Sequence, residues 1–404
     1  MAGTGRGGIH SRQHQEILRL KVCIGIEKFD PKVGGAERYL WDLSHFLAER
    51  GHDVAVICMK SAMPLNTSIK VHRVSCMRFP RWARHLCFAI MHYLRARSLR
   101  DYVHFSAGNT LYSDVYQPHG GVHRAWFEKD MMRYPDRLIR KFMAIIRMLT
   151  LKDMVQRICE WWTFKVAKPE IIAISEMVRR DIIKWFNYPE YRVHIVPNGI
   201  DTKRFSPYNA KYRQEVRLRY SIGEDDFVFL FVANNLLLKG LGVLIDACRD
   251  LGDLPCRVLV LGGDSYYARM KVKLYGLSGV FVFGGRAEDM ERVYPACECL
   301  VHPTYYDACS LTVLEALASG IPVITTASNG AAMYIGKGDG LVIPSADPSA
   351  LSLAMRRLYG STPRPGLGRV PVFRAHEDVF ADVTRIVENY RKEKHTTRRR
   401  DGNV

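Results

Sequence analysis

Residues 21–59 read KVCIGIEKFDPKVGGAERYLWDLSHFLAERGHDVAVICM, and the order of patterns within them decides the fold. Lys21 to Ile26 is an apolar run of strand length. Gly34-Gly35 breaks the chain, Ala36 to Arg50 carries apolar residues at helical spacing, Gly51 stops that helix, and Val54 to Met59 is a second apolar run. Two strands apolar on both faces, joined by a helix, form a βαβ unit, which belongs in a parallel sheet with a right-handed crossover.

The unit recurs along the chain. Ile171 to Ser175 reads as a strand feeding a helix over Met177 to Trp185, and the strand His194 to Pro197 ends on the turn Asn198-Gly199. A second series opens with the apolar strand Phe227 to Ala233 and the helix Gly242 to Asp250. Strands follow at Arg257 to Leu261, Val280 to Phe283 and Cys299 to His302, then a helix over Leu311 to Ser319 and a strand over Pro322 to Thr325. These spacings predict an α/β protein of two doubly wound, Rossmann-like domains facing a cleft. At 404 residues the chain is long enough for two cores. The predicted divisions are a disordered N-terminus (1–18), a first domain (19–204), a second (205–372), a C-terminal helix (373–392) and a disordered basic tail (393–404).

No run of eighteen apolar residues appears, and the polar, glycine-rich start lacks the apolar stretch of a signal peptide, so the expected location is cytoplasmic. Ten cysteines lie scattered, several inside apolar runs, as reduced core residues do. Cys297 and Cys299 lack the second pair that a zinc site needs and read as packing.

The formal net charge of +18 favours an anionic partner. Arg78, Arg81, Arg84, Arg95, Arg97 and Arg100 fall in a stretch without acids, interleaved with Trp82, Phe88, Ile90, Met91 and Tyr93. A second basic, aromatic stretch runs from Arg124 to Lys165 and includes Arg140, Lys141, Arg147, Trp161 and Trp162. Such helices suit an anionic membrane surface, or form a solvated basic face over ordinary core. Nucleic acid is disfavoured, because no reader motif accompanies the charge.

Ligands of open parallel sheets bind beyond the carboxyl ends of the strands. There the stretch from His302 through Asp307, Ser310, Leu311, Thr312 and Glu315 to Gly320-Ile-Pro-Val323 places a loop acid between a strand and a helix. Ser310 is a natural N-cap, and the amides of Leu311, Thr312 and Val313 offer a phosphate site at the positive helix end. Glu315, one turn in, could reach a ribose; Asp307 sits where a sugar would lie, and carboxylates accept hydrogen bonds from paired hydroxyls.

With its acid, seven residues and Glu, this segment resembles the retaining glycosyltransferases of family 4, which have the GT-B fold. Within that family it leans toward the lipopolysaccharide core glucosyltransferases, although Asp307 stands where Glu is usual. Val196-Pro-Asn-Gly-Ile-Asp201 through Arg204-Phe205 is similar to the family's interdomain signature, and Gly34-Gly35-Ala-Glu-Arg38 to its glycine loop. The resemblance implies that Lys239 neutralises the leaving diphosphate, with Asn234 replacing a frequent Arg. It also implies that Gly285-Arg286-Ala287 holds the base and that His119, in Gln117-Pro-His-Gly-Gly121-Val-His123, contacts the donor sugar. Without it, Lys239 could be merely solvated, and Gly34, Gly35 and His119 merely turn residues; His123 is a weaker candidate.

The implied activity is retaining hexosyl transfer from a nucleotide sugar, UDP-glucose by resemblance, to a glycolipid acceptor, with no cofactor and no metal. A nucleotide-sugar 2-epimerase or a non-catalytic nucleotide-sugar-binding protein would carry a similar pocket.

Overall fold

The computed structural model describes residues 19–77, 80–134, 136–252, 254–361 and 370–401. The expected disorder at 1–18 and at 402–404, and the basic residue Arg78, lie outside them. The first sheet is built from β1 (Lys21–Gly25), β3 (Asp53–Cys58), β5 (Lys70–Arg73), β6 (Val103–Ser106), β7 (Val115–Tyr116), β8 (Glu170–Ala173) and β9 (Val193–Ile195). Their order is β5-β3-β1-β6-β7-β8-β9, with every pairing parallel. β2 (Lys28–Phe29) and β4 (Lys60–Ser61), which follow β1 and β3, form a separate parallel pair. The second sheet comprises β10 (Phe227–Ala233), β11 (Cys256–Gly262), β12 (Phe281–Gly285), β13 (Cys299–His302), β14 (Val323–Thr326) and β15 (Gly340–Ile343). Its order is β12-β11-β10-β13-β14-β15, again all parallel. The two doubly wound domains read from the sequence are therefore present.

The first domain carries α1 (Gly35–Glu49), α2 (Arg81–Ala96), α3 (His123–Met131), α4 (Arg137–Met148), α5 (Leu151–Trp161) and α6 (Glu176–Phe186). Helix α1 ends where the amides of Gly51 and His52 bond back to Ala48 and Leu47, the stop expected at Gly51. The second domain carries α7 (Arg213–Arg219), α8 (Leu241–Leu251), α9 (Tyr266–Leu274), α10 (Met290–Val293), α11 (Leu311–Ala318) and α12 (Pro348–Ser361). Cys23, Cys58, Cys297 and Cys299 are buried free thiols, packed as core.

Helix α13 (His376–Asp401) departs from the predicted divisions. It continues well past 392, through 393–401, where a disordered tail was expected. Its apolar side, Val379, Phe380, Val383 and Val387, is buried in the first domain's core rather than the second's. The polar side adds specific bonds, since Tyr390 and Lys394 both reach the buried carboxylate of Asp114, at 2.7 and 2.8 Å. Lys394 thus gains a carboxylate partner 280 positions away in the chain, which no local pattern in the sequence shows.

The chain thus crosses between domains twice, and the crossings touch. The amide of Ile200 donates to the Arg374 carbonyl, and His376 bonds the Gly199 carbonyl at 2.8 Å. Phe380 packs on Tyr39 and Phe46 of α1, at ring separations of 5.2 and 5.4 Å. Phe380→Ala should therefore cost about 3–5 kcal/mol in urea denaturation, because the cavity it leaves lies between helices that cannot close over it.

Candidate active site

A cavity of about 630 Å³ opens between the carboxyl edges of the two sheets. From the first sheet come the segments after β1 (Glu27), β6 (Gly108, Asn109) and β7 (His119, Gly121); from the second, those after β10 (Lys239) and β13 (Asp307). Parallel strands all end on one side, so residues far apart in sequence converge there.

At the centre, Lys239 Nζ donates to Asp307 Oδ2 at 2.5 Å. The same oxygen lies 3.2 Å from Nε2 of the buried His302. Burial by itself would raise the Asp307 pKa, but the Lys239 ammonium and His302 outweigh it and hold the carboxyl well below the usual carboxylate range. Asp307 is ionised at any working pH. Lys239 is placed by Gly240, whose φ is +83° and whose α-carbon faces the Pro303 carbonyl; a Cβ there would lie 2.1 Å from that oxygen. Only glycine fits, and this close approach seats the β10–α8 turn on the loop carrying Asp307.

His119 also faces the cavity, its ring 4.6 Å from that of Tyr39. Burial pushes its pKa down to about 4, so the imidazole is neutral at pH 7. Its Nε2 is buried without a hydrogen-bond partner. Such an atom costs free energy until a ligand satisfies it.

The donor-binding candidates occupy the adjoining interface. Gly34 and Gly35 begin α1 opposite the start of α11, where a Cβ on Gly35 would lie 3.1 Å from the Leu311 side chain. Ser310 occupies the N-cap position, but its hydroxyl does not cap as expected: it bonds Thr312 Oγ1 at 2.7 Å. The first amides of α11, those of Leu311 and Thr312 included, therefore receive no side-chain cap. Glu315 accepts from Tyr294 at 2.7 Å, and burial raises its pKa to about 7. Arg286 and Ala287 line a separate recess of about 530 Å³ beside Tyr220, and Arg286 reaches the Lys32 carbonyl of the first domain at 3.4 Å. The cavity thus gathers His119, Lys239 and Asp307, while Gly34, Gly35, Ser310, Leu311, Thr312 and Glu315 are not among its lining residues and Arg286 and Ala287 line the separate recess.

Sequence reasoning missed Tyr306. Its hydroxyl accepts from the Val122 amide at 3.1 Å and donates to Asp181 at 3.0 Å, joining the domains beside the cavity. Gly121 admits it: φ there is +73°, and a Cβ would lie 2.3 Å from the tyrosine oxygen. A glycine beside His119 was visible in the sequence, but its distant partner was not. Glu27, Lys152, Gln156 and Glu160 also line the cavity unannounced.

Glu315 has a measurable signature. Its folded pKa, about 7, lies above the value of 4.5 expected in the unfolded chain, so its favourable contribution holds below that range and fades as pH rises through about 7. Glu315→Gln should flatten that decline, leaving the variant more stable than wild type at about pH 8 and little changed below about pH 4.5, as denaturation midpoints would register.

Comparison with known proteins agrees with this architecture. Residues 33–204 match Glycosyltransferase Family 4, and residues 213–365 match Glycosyl transferases group 1. The lipopolysaccharide glucosyltransferase WaaG of Escherichia coli is 26% identical over 328 residues, 78% of this chain and 82% of that protein. A D-inositol 3-phosphate glycosyltransferase of Corynebacterium urealyticum is 28% identical over 217 residues, 50% of this chain and 51% of that protein. For several of the curated relatives, the matched region spans only about half of their length. The crystal structure of WaaG superposes with a TM-score of 0.71 at 21% identity, covering 84% of this chain and 90% of that one. Anabaena HepE in complex with UDP-glucose superposes at 0.64 and 16% identity, covering 94% and 100%. With each half matched to its own glycosyltransferase domain on this two-sheet fold, the chain belongs to the GT-B glycosyltransferases of family 4.

Proposed function

We propose that this chain transfers a hexose, glucose in the best-fitting case, from a UDP-sugar to a membrane-associated glycolipid such as the lipopolysaccharide inner core. Transfer would retain the anomeric configuration and need neither metal nor cofactor. The observation that carries this reading is the cavity itself, where an ionised Asp307, the Lys239 ammonium and a neutral, unsatisfied His119 converge between two parallel sheets.

Asp307 is committed to Lys239 and His302, which makes it a poor nucleophile and a good acceptor for sugar hydroxyls. In the proposed reaction the bond from the anomeric carbon to the phosphate oxygen breaks as the acceptor oxygen bonds on the same face. The acceptor proton passes to the leaving phosphate. Lys239 and the amides at the start of α11 stabilise the diphosphate, Glu315 takes the ribose, and the recess at Arg286 and Ala287 takes the base. His119 bonds a sugar hydroxyl without adding charge near the developing oxocarbenium centre.

The membrane part rests on α4 and α5. Helix α4 buries none of its residues; Leu138 is 77% exposed and Phe142 63%, with Ile139 and Ile145 beside them. The neighbouring α5 exposes Leu151, Met154, Ile158 and Trp161. Arg147 and Lys165 do not join this face as their place in the basic stretch implied: Arg147 pairs with the buried Asp130, and Lys165 bonds the Phe186 carbonyl. Among the described residues no helix is long and apolar enough to cross a membrane. The exposed face suits peripheral attachment to the inner leaflet of the cell membrane.

Incubation with UDP-glucose and EDTA, without and with a deglucosylated lipopolysaccharide core, tests the reaction. UDP release should require the acceptor, survive EDTA and disappear in Glu315→Ala, while Lys239→Ala should slow it roughly 10²–10³-fold. Turnover only with other donors or acceptors would discard the substrates and keep the class; UDP binding without any turnover would favour a non-catalytic nucleotide-sugar-binding protein. Separately, Phe142→Asp should cut co-sedimentation with anionic phospholipid vesicles roughly ten-fold while leaving the fold intact by circular dichroism.

A further inference from the structure

Besides His119, Lys239 and Asp307, one helix contributes a run of side chains to the cavity wall. Lys152, Gln156, Cys159 and Glu160 of α5, followed by Thr163, line the cavity. They recur at helical spacing, opposite the exposed set of Leu151, Met154, Ile158 and Trp161. One helix therefore presents polar side chains to the cavity and apolar ones to the outside.

Glu160 is the unusual member. One carboxylate oxygen accepts from the His123 amide at 2.5 Å, at the start of α3. The other, Oε2, is buried and has no hydrogen-bond partner. Burial holds this carboxyl above the usual range, only partly offset by the His123 and Arg124 backbone amides. A carboxylate serving only as a helix cap would not need to line a cavity with its second oxygen unsatisfied. At the rim, Lys28 and Lys152 have no carboxylate within ion-pair distance among the described residues, and Arg84 has only Glu27, at 4.0 Å.

We infer that this half of the cavity is the acceptor subsite, that Glu160 Oε2 accepts a hydrogen bond from an acceptor-sugar hydroxyl, and that the rim lysines receive an anionic substituent of the same acceptor. The ligand class is a sugar bearing a phosphate or carboxylate. The inference rests on the transferase reading above and deepens it. Because α5 forms both the subsite wall and part of the exposed apolar face, an acceptor anchored in a bilayer would meet Glu160 while its lipid stays outside.

The test compares wild type, Glu160→Gln and Lys152→Ala in three assays: UDP-glucose binding by calorimetry, slow UDP-glucose hydrolysis without acceptor, and transfer to deglucosylated lipopolysaccharide core, native or phosphatase-treated. Glu160→Gln should leave binding and hydrolysis unchanged and raise the acceptor KM roughly 10- to 100-fold. Lys152→Ala should raise KM for the native core and not for the treated one. Unchanged acceptor KM in Glu160→Gln would overturn the inference while the transferase reading stands. Equal loss of all three activities would overturn it too, marking Glu160 as a helix cap alone. Wild-type protein that binds UDP-glucose but transfers to neither core would overturn the acceptor reading, and this inference with it.

Discussion

Parallel strands cannot be joined by tight turns, and this constraint organises the whole molecule. Each connection must travel back across a face of the sheet, usually as a helix, so every loop leaving a strand's carboxyl end gathers on one edge. Two such sheets facing each other bring two loop-rich edges together. Glu27, Asn109, His119, Lys239 and Asp307 meet because each follows a strand, although they span 280 positions (307 − 27). The cavity needs no binding element beyond the connections that the sheets already require.

Within that frame the charges are set by burial and pairing. Lys239 and Asp307 neutralise one another, and removing either would leave its partner charged and poorly solvated, a change that typically costs about 3–5 kcal/mol. His119 and Glu315 show the opposite behaviour. Each lacks a full charge partner, and burial favours the neutral form of each. The site thus sets a carboxylate held ionised by its partners, Asp307, beside a histidine kept neutral by burial, His119.

Much of the fold was legible because central strands are apolar on both faces and read as unbroken runs. Phe227–Ala233 and Cys299–His302 match the sequence reading end to end. Short, polar or exposed strands escaped it: β5 is half-exposed throughout, the buried central β6 carries His104 and Ser106, and β7 is only two residues long. Asp307, Glu315 and Ser310 were legible as a strand–loop–helix unit. Tyr306, Glu160 and Lys152 were not, because their roles depend on Val122, Asp181 and the cavity rather than on chain neighbours.

By itself the sequence determined the alternation of strands and helices, the two domains and the strand-end residues His119, Lys239 and Asp307 that line the cavity, since those follow from local periodicity and from the placement of Gly, Pro and acids. Only the tertiary structure decided that α13 packs on the first domain, that Lys239 pairs with Asp307, and that α5 turns Glu160 inward and Trp161 outward. Each of these depends on two segments distant in sequence sharing a buried surface. Hydrophobic burial and charge pairing are indifferent to sequence separation, so one-dimensional patterns carry the propensity of each segment but not the identity of its partner.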